Sequence, residues 1–173
     1  MSDAPAGDPR LKFDEQLLRD VLGEDELGAV IRAHIHIEAT IIDYLRVRVP
    51  HYEHLPYLRY EGRIRLATAL GFRADLLDAL KRLGDLRNSF GHDLHTKLTN
   101  ESVDKIFDAL PTHKWEAQDD PRIAAAIRFN AKHYKAEKMP KMRLIMVAMA
   151  LKVGALQELA KAIDEAEAGG RVH

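Results

Sequence analysis

Apolar positions recur every three to four residues along most of the chain, and no stretch alternates with period two for long enough to suggest a sheet. This pattern predicts a short helix over Asp14–Leu22, ended by Gly23, and a long one over Glu24–Val49, stopped by Pro50. His51–Pro56 reads as a loop, followed by a helix over Tyr57–Leu70 that Gly71 closes. The next helix is expected over Arg73–Phe90, with Gly91 at its C-terminal end. Asn100 is placed to cap a helix over Glu101–Leu110, which Pro111 ends. After a loop holding Trp115, Asp120 and Pro121 open a helix to about Glu137, because proline fits a first turn. Lys141–Ala168 is the last helix, released by Gly169-Gly170. The expected fold is all-α: one irregular up-and-down bundle of about seven helices over residues 11–168. A disordered tail is expected at 1–10 and a short tail at 169–173.

Two charges interrupt the apolar stripes. In the second helix Leu27, Ile31, Ile42, Leu45 and Val49 share one stripe, and Glu38 falls inside it. In the helix over 73–90, Leu76, Leu80, Leu83 and Phe90 form the stripe, and Arg87 falls inside that one. A buried, unpaired charge is costly, so each calls for a partner. The economical expectation is that Glu38 and Arg87 face each other, directly or through an intermediary. A structural ion pair that pins helix register, or Arg87 reaching solvent along its alkyl stem, satisfies the same pattern.

His92 follows Arg87 by five residues and lies about 140° from it on a continuous helix. A helix ending at Gly91 would let His92 swing back over the last turn and join Arg87 and Asn88. A helix C-terminus also favours a protonated histidine. The polar cluster Glu38, Arg87, Asn88 and His92 would then combine a fixed cation, an amide and a group titrating near neutrality. Such a set suits phosphate binding and proton transfer, while a simple capping role for His92 remains the plainer alternative.

Composition narrows the function classes. The chain of 173 residues is 46% hydrophobic, enough for one core, and 31% charged, as amphipathic helices require. Its 26 basic and 27 acidic side chains leave a net charge of -1, which disfavours coating nucleic acid through bulk charge. There is no cysteine, which excludes disulfides, thiolate nucleophiles and cysteine zinc sites. The N-terminal residues carry no apolar signal segment, and Leu144–Leu151, the longest apolar run, is too short to span a bilayer. A cytoplasmic location is expected.

The segment Arg87-Asn88-Ser89-Phe90-Gly91-His92 resembles the Arg-x4-His motif of HEPN domains, which are all-helical and usually dimeric. The wider context is similar to the mannitol operon repressor (MltR) family. Gly62–Phe72 resembles that family's pre-motif helix and turn, Leu83–Asp93 its motif helix, and Leu98–Ser102 the polar turn after it. Ala33–Leu45 looks like its long second helix and Leu144–Ile163 like its last. The repressor resemblance implies a non-enzymatic transcriptional regulator acting through protein contacts in helical oligomers. The HEPN resemblance implies a metal-independent endoribonuclease with two motifs meeting at a dimer interface. There Arg87 would hold the scissile phosphate, His92 would act as acid and base, and Asn88 would support them. The regulator is the first expectation, with a homodimer and a protein partner in a regulatory complex. RNA is the substrate under the alternative, and an antitoxin-like assembly subunit is a third reading.

Other constellations are weaker. The nine histidines include two pairs with ligand spacing, His34 with Glu38 and His92 with His95, but no compact tetrad, so neither metal nor cofactor is expected. Between Arg46 and Arg73 there are six arginines and two acids, interleaved with Tyr52, Tyr57 and Tyr60. Arg59, Arg63 and Arg65 could form a nucleic-acid patch there, although a solvated helix face has the same composition. The methionines near the last helix read as core filler, and the broad apolar surface of the last helix favours a homodimer without fixing which surface pairs.

Overall fold

A computed structural model describes residues 15–93, 95–111 and 133–169. Among these the protein is all-α, with six α-helices rather than about seven. They are α1 (Glu15–Leu22), α2 (Glu26–Arg48), α3 (Tyr60–Ala69), α4 (Leu77–His92), α5 (Asn100–Asp108) and α6 (Pro140–Gly169). Single 3-10 turns at Tyr52–His54 and Ala74–Leu76 precede α3 and α4. The expected helix from Pro121, the Trp115 loop and the N-terminal tail lie wholly or mostly outside the described residues.

Local chemistry accounts for the helix starts. The Asp25 carboxylate accepts from the Gly28 N–H at 2.7 Å and caps α2. At α5 the cap is Thr99, one residue before the expected Asn100. The Thr99 hydroxyl accepts from the Ser102 N–H while the Ser102 hydroxyl oxygen accepts from the Thr99 N–H. A capping box satisfies two orphan amides at once, which one asparagine cannot.

Helices α2 and α6 form the spine. Lys141 donates to the Leu22 and Glu24 carbonyls, Lys152 to the His36 carbonyl, and Arg48 pairs with Glu165 at 2.7 Å. Start meets start, middle meets middle and end meets end, so the two helices run parallel over the length of α2, about 34 Å. Ala29, Ala33, Ile37 and Tyr44 of α2 are buried, as are Leu144, Ala148, Leu151 and Ala155 of α6. The broad apolar surface of α6 is therefore largely consumed inside the bundle. Gly154 lets Leu76 approach α6 closely: a β-carbon there would lie 2.8 Å from Leu76 Cδ1.

The buried arc of α2 is rotated away from the expected stripe. Leu45 is buried, but Leu27, Ile31 and Ile35 are 39%, 36% and 51% exposed. Helix α2 is apolar around most of its circumference, and α6 packs on the arc that carries the small alanines. The expected core residues Leu80, Leu83 and Phe90 of α4, and Leu76 of the 3-10 turn before it, are all buried.

Candidate functional site

Helices α2, α3 and α4 meet along a polar seam. Its floor is His34, buried on α2, with its ring against Tyr60 of α3 at a centroid distance of 4.3 Å. Tyr60 donates its hydroxyl to the Leu80 carbonyl at 3.1 Å and lies flat against α4 at Gly84. A β-carbon at Gly84 would come within 2.9 Å of two Tyr60 ring carbons, so only glycine leaves room for the ring. Burial, and then the Glu38 carboxylate, push the Tyr60 hydroxyl far above its ordinary range. Tyr60 is thus a neutral spacer between α2 and α4.

Glu38 sits at the open edge of the seam. Its direct cation is Arg63 of α3, through Nη1 to Oε1, rather than Arg87. Both side chains are about a fifth exposed, at 20% and 19%. The Arg63 guanidinium also covers the exposed Tyr57 ring at 5.7 Å. The other Glu38 oxygen lies 3.7 Å from His34 Nδ1. No described bond joins Arg87 to Glu38, and the Arg87 charge is felt at His34. Burial lowers the His34 pKa first, the Glu38 carboxylate opposes that shift, and the Arg87 charge adds to it.

Arg87, Asn88 and His92 are all exposed. Arg87 Nη1 donates to Asn88 Oδ1 at 3.0 Å. Gly91 does not end the helix: α4 continues through it to His92, and its φ is not positive. The last turn closes behind it, where the Asp93 N–H and the Thr96 hydroxyl both donate to the Ser89 carbonyl. Glycine permits the swing but does not require it, and these bonds hold the helical alternative. His92 therefore stays about 140° around α4 from Arg87, and one turn from Asn88. Within one chain Arg87 and Asn88 form a cation–amide pair that can hold an anion. His92 could serve the same bound group only if a second chain brought one of the two across.

The arginines expected to form a nucleic-acid patch divide. Arg63 turns inward to Glu38, and Arg65 donates twice to Glu61 Oε1, at 3.1 and 2.7 Å, leaving Arg59 exposed at the start of α3. The sequence singles out His34 for its one-turn spacing from Glu38 and Tyr60 as one of the interleaved tyrosines, but neither signal brings the two rings together in a seam. No family model, curated protein or solved structure matches the chain.

Proposed function

We propose that the protein is a non-enzymatic regulator of the mannitol-repressor type, cytoplasmic, acting as a homodimer through protein contacts. One observation carries this reading: Leu27, Ile31 and Ile35, spaced by four along α2, stand exposed in one row. An apolar row at helical spacing is costly to leave in water and suits a second helix. The same row in a second copy is its occupant, in keeping with the oligomers of both resembling families. The divergence of Arg87 and His92 on one unbroken helix supports the non-enzymatic reading further. No described helix is long and apolar enough to cross a membrane, which accords with a protein working in an aqueous compartment.

Sedimentation equilibrium tests the contact surface. The wild type should run at twice the chain mass of 19.6 kDa, and Ile31→Glu should run at the chain mass with unchanged helicity. A monomeric wild type, or a variant that still dimerises, contradicts the assignment. The second reading, a HEPN-type endoribonuclease, is favoured by one observation: Arg87, Asn88 and His92 are exposed rather than locked into the core. In that reading the partner chain completes the site.

A further inference from the structure

The connection between α2 and α3 carries a cluster that helical spacing does not reveal. His51, Glu53 and His54 each offer one donor atom, and the three atoms lie within 4.8 Å of one another. The two imidazoles are nearly parallel, 16° apart in plane with centroids 5.6 Å apart, and His51 Nδ1 lies 3.7 Å from Glu53 Oε1. The backbone creates this arrangement. His51 follows Pro50 and adopts the left-handed conformation (φ 57°, ψ 44°), and no other described non-glycine residue has positive φ. Its carbonyl accepts from the His54 N–H at 2.9 Å, closing the 3-10 turn that brings both rings to one side.

We propose that this turn binds a divalent transition-metal ion of the zinc class. Two imidazoles and one carboxylate match the donor set with which three protein ligands hold zinc and leave a position for water. Ligand bonds of about 2.1 Å place tetrahedral donors roughly 3.4 Å apart, so small rotations of exposed side chains complete the site. The two arginines that line the adjoining hollow each have an acidic partner. Arg46 is paired with Asp43 at 3.0 Å and Arg48 with Glu165 at 2.7 Å. An open hollow of about 520 Å³, lined by residues 46–53, adjoins the donors and has room for solvent on the ion. Nitrogen donors select zinc, cobalt, nickel or copper over magnesium or calcium. A bound ion would clamp the chain between α2 and α3, and so hold the approach to Tyr57 and Arg63.

Titration calorimetry of the full chain with Zn2+ in a non-coordinating buffer tests the site, with Co2+ absorption as a second readout. One equivalent should bind, while Mg2+ gives no heat. His54→Ala should weaken zinc binding at least tenfold and abolish the cobalt band. His51→Asn should do the same while keeping a residue that tolerates the left-handed backbone. His95→Ala should leave binding unchanged and serves as the control for the chain's other histidines. Circular dichroism confirms that each variant folds. The site is overturned if the wild type binds no Zn2+, or if both turn variants retain wild-type affinity.

Discussion

Replacing Arg63 with methionine removes the charge from the seam and keeps most of the side chain's bulk. Glu38 then remains four-fifths buried, since its side chain is only 20% exposed, with His34 at 3.7 Å as its remaining neighbour of opposite potential charge. Breaking a fully buried pair costs about 3–5 kcal/mol, whereas an exposed pair contributes about 0–1 kcal/mol. A pair one-fifth exposed falls between these, so Arg63→Met should cost about 2 kcal/mol. For a chain of this size that is a fall in Tm of about 4–8 °C. Glu38→Gln should cost less, because a neutral amide can stay half-buried while Arg63 swings out along its stem. The double variant should be more stable than the sum of the single losses predicts, by about 1 kcal/mol or more in urea titrations. Additivity within about 0.5 kcal/mol would mean that the two charges do not interact, and the seam would lose its central bond.

Gly91→Ala should stabilise the protein by about 0.5–1 kcal/mol in thermal unfolding, because Gly91 is helical and a β-carbon there meets nothing within 4 Å. A loss of similar size would indicate a left-handed end at Gly91. Gly84→Ala should have the opposite sign, because overpacking against the Tyr60 ring, at about 1–3 kcal/mol, outweighs the helix-propensity gain of about 1 kcal/mol. His34 supplies a pH dependence. Its folded pKa lies below 6.5, so the unfolded chain takes up that proton first as pH falls. Stability should therefore decline from about pH 6.5 downward until the folded pKa is passed. His34→Gln should flatten that slope in urea titrations between pH 7 and 5, and an identical slope in both proteins counts against a buried neutral His34.

Helix positions were legible in the sequence because period and punctuation are local properties. The stripe of Leu80, Leu83 and Phe90 on α4 is buried as its spacing requires. The buried arc of α2 was not legible, because that helix is apolar on nearly every side and the packing of its neighbours, α6 above all, chooses among them. Glu38 announced the need for a cation, but the choice of Arg63 over Arg87 depends on where α3 crosses. Gly91 is compatible with both a helix end and a helix interior. The bonds to the Ser89 carbonyl that decide it come from Asp93 and Thr96, beyond the motif. The donors of the His51–His54 turn converge through one left-handed residue, which helical periodicity cannot anticipate.

The proposed function holds that Arg87 and His92, about 140° apart on an unbroken α4, are not used for catalysis and that the protein works through contacts. Its most direct test is incubation of purified protein with single-stranded RNA in the presence of a chelator, wild type beside His92→Ala. The account predicts intact RNA with both proteins. Cleavage by the wild type that His92→Ala abolishes would contradict it and establish the endoribonuclease.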